Sequence, residues 1–268
     1  MTAQPDFQTF VHVVGAGPRR ALALHCTMAF GGAWGGMAKA LAGQVTFVAP
    51  DMPSHGKSDD WDEQSHLSDT ALIGSLAAMD EGPMDVIGHS FGGMTALRLA
   101  VSHPARVRSL TLIEPVFFAV ARRDAPETLD GFDDHSAPFI QALAAGDRKG
   151  AAQAFNGAWG DQGSGWEALP ARTRDAMARG VHVVTGSRSV LYDDDRGLLE
   201  PGVLDATLTP TLILRGGLSQ SAVTATNNGL AARLPNARQG VIAGAGHMAP
   251  ITHPKETAAL WQQFLAQT

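Results

Sequence analysis

The run MDVIGHSFGGMTALRLAVSH (84–103) constrains this chain most. Met84, Val86 and Ile87 read as an apolar strand. Gly88-His89-Ser90-Phe91-Gly92 follows at once, and apolar residues at helical spacing then run to the stop at Pro104. A strand that turns this abruptly into a helix predicts a βα unit with Ser90 at the turn. Gly88 and Gly92 leave room for close packing there. Ser90 is expected in an uncommon backbone conformation, its side chain projecting at the C-terminal end of a sheet. The helix N-terminus behind it favours negative charge. The alternative is an ordinary loop with a serine N-cap.

The rest of the chain repeats the alternation. FQTFVHVVG (7–15), ALALHC (21–26), VTFVAPD (45–51), VRSLTLIEP (107–115), TLILRG (211–216) and QGVIAG (239–244) read as strands. Helical patterns lie over 34–41, 67–81, 91–103, 225–234 and 254–267. Strands alternating with helices imply an α/β fold, a mainly parallel central sheet flanked by helices. The alternation lapses from Phe117 to Asp205, where only short helical patterns such as KGAAQAFNGAW occur. That stretch reads as a helical insertion, leaving 1–116 and 206–268 as the core and 117–205 as a cap. A chain of 268 residues suits one such domain with an insertion.

The formal charge of −6, with no basic run, argues against nucleic acid and membrane surfaces as partners. The single cysteine, Cys26, excludes an internal disulfide and a cysteine-based zinc site. Histidine and acidic residues show no zinc-type spacing, and GAGP and GGAWGG lack the dinucleotide pattern, so no metal or cofactor is expected. The N-terminus shows no signal-peptide pattern and no run approaches transmembrane length, which makes the cytoplasm the expected address.

Four segments in chain order carry a resemblance to the α/β-hydrolase fold superfamily. LHCTMAFGGAW (24–34) resembles its His-Gly loop, with Cys26 where glycine is usual. DMPSHGKS (51–58) resembles its Asp-x-Pro-Gly-His-Gly-x-Ser loop, with Ser54 replacing a glycine. GHSFGG is its nucleophile elbow, and GAGHMAPITHP (244–254) resembles its catalytic-histidine segment. The resemblance implies a serine hydrolase with a helical cap, Ser90 as nucleophile and His247 as its base. His25, His55 and His89 are read as structural, and His253 as a residue that holds the loop.

The base needs an acid to fix its tautomer. In most of the superfamily the acid follows the strand after the cap, here TLILRG. Residues 206–246 contain no Asp and no Glu. A minority of members carry it one strand earlier, which is the position of Glu114. The alternatives are a strand-end carboxylate bonded to loop amides, or a histidine oriented without charge by Ser219, Asn227 or Asn228.

The oxyanion of an acyl-transfer intermediate needs amide donors. The resemblance implies Phe91 N–H and Thr27 N–H, with Met28 the next choice. Met28, Phe30, Phe117, Trp159 and Met248 are the pocket candidates, with Phe118, Phe155 and Trp166 also considered in the cap. The expected substrate is a small, mostly apolar ester, thioester or lactone. Carbon–carbon hydrolysis, acyl transfer and a ligand-binding relative without catalysis are the alternatives.

Overall fold

The computed structural model describes Gln4 and residues 6–130, 132–160 and 165–268. Seven strands form one sheet: β1 (Val11–Gly15), β2 (Arg19–Leu24), β3 (Val45–Pro50), β4 (Met84–His89), β5 (Val107–Ile113), β6 (Thr211–Gly216) and β7 (Ala237–Ile242), in the order β1-β3-β2-β4-β5-β6-β7. All neighbours are parallel except β1, which pairs antiparallel with β3 in the register Val11↔Pro50 to Gly15↔Thr46. The expected first strand is therefore shorter than its alternating pattern, since 7–10 lie outside any strand.

Twelve α-helices are described: α1 (Gly35–Ala40), α2 (Leu67–Ala77), α3 (Phe91–Ser102), α4 (Phe118–Asp124), α5 (Phe132–Ala144), α6 (Arg148–Trp159), α7 (Ala171–Gly180), α8 (Val183–Gly186), α9 (Arg188–Tyr192), α10 (Ser221–Arg233), α11 (Ala249–Thr252) and α12 (Pro254–Leu265). They cover both faces of the sheet, which explains why β3 and β4 are buried at every position. One face packs α1, α11 and α12 through Trp34, Met37, Trp261 and Phe264. Trp261 stacks on Phe47 with ring centroids 5.4 Å apart. The other face packs α2, α3, α4 and α10 around Leu72, Leu97, Val120 and Leu230.

Between β5 and β6 the described chain is helical, running from α4 to α9. Its two ends, through Phe118 and Val190, join the large core, while Phe139, Ala151, Trp166, Met177 and Val181 form a small core of their own. Met28, from the loop after β2, packs against that small core. Among the described residues no helix is long and apolar enough to cross a membrane.

Parallel pairing brings the C-terminal ends of β4, β5 and β6 side by side, with His89 opposite Ile113 and Ile113 opposite Leu214. Open α/β sheets bind ligands beyond such ends. Ser90, Glu114 and the loop after Gly216 all emerge there.

Candidate active site

Ser90 follows β4 with φ 56° and ψ −119°, outside the ordinary regions for an L-residue. The turn is held by Ser90 N–H donating to Ile113 O at 2.9 Å and by Met94 N–H donating to Ser90 O at 3.1 Å. It is tight because α3 lies against the sheet. A Cβ on Gly88 would sit 2.2 Å from Gly92 O, and one on Gly92 would sit 2.3 Å from Leu24 O. Only glycine allows that approach.

Glu114 ends β5, also with positive φ, at 51°. Its amide continues the ladder by donating to Leu214 O at 2.8 Å, and its side chain is fully buried. Oε2 accepts from His247 Nδ1–H at 3.0 Å. Oε1 accepts from Gly216 N–H at 2.5 Å and from the Ser219 hydroxyl. His247 then turns Nε2 toward Ser90 Oγ, 3.0 Å away. The carboxylate fixes the proton on Nδ1 and leaves Nε2 as acceptor. Ser90, His247 and Glu114 thus form one hydrogen-bonded line, and the side chain of His247 is 11% exposed.

The histidine loop is itself anchored. His89 Nε2–H donates to His247 O at 2.8 Å, and Leu218 N–H donates to Ala245 O at 2.9 Å. Burial pushes His89 down to about 3, so it is neutral near neutral pH. His25 and His55 are neutral for the same reason, at about 4 and about 3. His25 bridges Cys26 O and the Met52 amide, and His55 bridges Pro53 O and the Met28 amide. His253 Nδ1 lies 2.9 Å from the Thr252 hydroxyl.

Two departures noted in the loops have local explanations. Ser54 has φ 65°, where glycine would be unstrained, but its hydroxyl accepts from Trp61 N–H at 2.9 Å and bonds His182 Nε2 at 3.1 Å. Cys26 is buried, and burial pushes its thiol up to about 12, which leaves it uncharged and unreactive as a nucleophile.

A cleft enclosing about 390 Å³ of empty space, open solvent included, reaches Ser90 and His247. Thr27, Met28, Trp159 and Met248 line it, together with Cys26, Ala29, Phe155, Asn156, Gly160 and Met177. Trp159 meets the His247 ring edge-on at 4.7 Å. Phe30 and Phe117 do not line it. Phe30 is 48% exposed and stands beside His12, while Phe117 is fully buried in the large core. Phe118 and Trp166 are likewise core residues, of the large and small cores respectively. Asn156 was missed, although it lies three residues before Trp159 on α6, a spacing readable in the sequence. Ala29, Gly160 and Met177 carried no such signal.

Of the uncharged alternatives to Glu114, Ser219 bonds the glutamate and not the histidine. Asn227 is fully buried and donates to Leu214 O at 3.2 Å. Thr27 lines the cleft and Phe91 follows Ser90 at the start of α3, whereas the Met28 amide is taken by His55.

Comparison with known proteins agrees with this architecture. A model of the "Alpha/beta hydrolase family" matches residues 10–260. Lipase LipV of Mycobacterium tuberculosis is 36% identical over 103 residues, 37% of this chain and 38% of that one. The pimeloyl-[acyl-carrier protein] methyl ester esterase of Aeromonas hydrophila is 29% identical over 265 residues, 94% of this chain and 96% of that one. A solved hydrolase from Pseudomonas aeruginosa superposes with a TM-score of 0.75 over 98% of this chain and 96% of its own, at 21% identity. The chain belongs to the alpha/beta hydrolase family and is a hydrolase.

Proposed function

We propose that the enzyme cleaves a small, mostly apolar ester, thioester or lactone through an acyl-enzyme on Ser90, with residues 117–205 roofing the site as a cap. The observation that carries this reading is the unbroken line from Ser90 Oγ through His247 to Glu114 at the floor of the cleft. His247 Nε2 takes the Ser90 proton as Oγ attacks the carbonyl carbon. The Phe91 and Thr27 amides receive the oxyanion. The imidazolium, stabilised by Glu114, gives its proton to the departing alcohol, thiol or ring oxygen. Water then repeats the sequence on the acyl-enzyme, and Ser90 is regenerated.

The walls support an apolar substrate. Met28, Met177, Met248, Phe155 and Trp159 surround the serine, and no lysine or arginine is among the described lining residues. Methionine and aromatic side chains bind acyl chains by shape and dispersion without demanding charge. Two similar proteins bear the names of a lipase and a methyl ester esterase, which supports an ester before a carbon–carbon bond. The binding-protein alternative rests on the absence of an acid after β6 and on Cys26 in the loop after β2; a carboxylate in contact with His247 supports catalysis over it.

The test needs no knowledge of the substrate. The protein is incubated with a fluorophosphonate, and intact mass and peptide mapping follow. Stoichiometric modification at Ser90, absent from Ser90→Ala and His247→Ala, is the expected result. A folded protein that stays unmodified contradicts the proposal.

A further inference from the structure

We infer that Ser219 is a positioning residue for the reaction, holding Glu114 in the orientation that serves His247. The inference rests on the reading of Glu114 as the acid. Glu114 is fully buried and reaches the histidine with one oxygen only, Oε2. The other, Oε1, has no solvent and needs donors. Gly216 N–H and the Ser219 hydroxyl supply them. Two donors on Oε1 stop rotation of the carboxylate about its last bond, so Oε2 stays aimed at Nδ1. They do so without adding a competing charge.

The surrounding backbone fixes Ser219 in that place. Gly216 approaches so closely that a Cβ there would lie 2.3 Å from Ala245 O. Gly217 N–H donates to Ile242 O and Leu218 N–H to Ala245 O, both at 2.9 Å. Residues 216–219 are therefore bound on one side to the glutamate and on the other to the segment leading to His247. In this chain the loop after β6 carries no acid of its own. Its serine supports the acid that arrives from β5. One hydrogen bond to an ionised group accounts for a rate effect of about tenfold.

The experiment compares the rate of Ser90 phosphonylation, and of p-nitrophenyl butyrate hydrolysis, in wild type, S219A, E114Q and S219A/E114Q. Ser219→Gly serves as a second hydroxyl-free variant, and thermal unfolding checks that each is folded. A loss of about tenfold in S219A and S219G, with no further loss when S219A is added to E114Q, supports the inference. Wild-type rates in S219A and S219G, with E114Q impaired, overturn it while leaving Glu114 as the acid. An equal loss in both backgrounds also overturns it, because Ser219 would then act independently of the carboxylate. Wild-type rates in E114Q overturn the acid reading and this inference together.

Discussion

The Met28 amide donates to His55 Nε2 at 2.8 Å, so a histidine outside the Ser90–His247–Glu114 line holds the loop beside Ser90. Met28 has φ 64°, and the contact pins this turn while its side chain enters the cleft. It also commits the Met28 amide, which supports Thr27 N–H as the proposed second oxyanion donor. Replacing His55 with Ala removes a buried imidazole and two hydrogen bonds, with an expected cost of about 2–4 kcal/mol. Phosphonylation of Ser90 is expected to slow as well, because the loop loses its tie. Denaturant unfolding and labelling kinetics on the same variant check both.

Stability should fall in acid, and three histidines set the window. His25, His55 and His89 are held neutral by burial, at about 4, 3 and 3. In the unfolded chain each titrates near 6.5. Below that pH the unfolded state takes up protons that the folded state refuses. The stabilisation is complete above pH 6.5 and is lost as pH falls toward 4 and 3. Near pH 5 these groups alone give a slope of about 4 kcal/mol per pH unit. Denaturant unfolding at several pH values between 7 and 4.5 checks it, and a flat profile would contradict the neutral-histidine assignment.

Gly88→Ala should be poorly tolerated. Its Cβ would collide with Gly92 O and Gly93 Cα, both backbone atoms, at 2.2 and 2.8 Å. Relief requires moving α3 away from β4, and with it Ser90. The expected cost is about 3 kcal/mol or more, with loss of labelling in whatever folds. The soluble yield and unfolding midpoint report the first, and fluorophosphonate labelling the second.

Trp159→Ala should alter selectivity more than folding. The ring closes one wall of the cleft beside His247. Its removal is expected to favour longer acyl chains over acetate by roughly tenfold in relative kcat/KM. Hydrolysis of p-nitrophenyl esters from acetate to octanoate gives the profile. An unchanged profile would mean that the acyl chain lies elsewhere.

The sheet was legible because its strands are buried on both faces and so read as unbroken apolar runs, as in MDVIGH and TLILRG. The pairing of β1 was not, since an alternating strand reads alike in either direction. Ser90 stood out because a strand that turns tightly into a helix leaves a mark in sequence, and His247 through its place in the segment that resembles the family's histidine loop. Glu114 was legible only through the family resemblance: no carboxylate follows β6 before Gly246, and a minority of members place the acid at the end of the preceding strand. The cleft walls were the least legible. Phe30 and Phe117 have the right chemistry, but which side of a loop or helix faces the serine depends on tertiary packing. Phe117 turned into the core and Phe30 outward to His12.

The most direct test of the account is the rate at which Glu114→Gln hydrolyses p-nitrophenyl butyrate. Gln keeps the shape of the side chain and removes its charge. If Glu114 fixes the His247 tautomer and stabilises the imidazolium, kcat should fall by at least about 100-fold with the fold intact. A Glu114→Gln enzyme within about twofold of wild type would contradict the account and return the glutamate to a purely structural place at the end of β5.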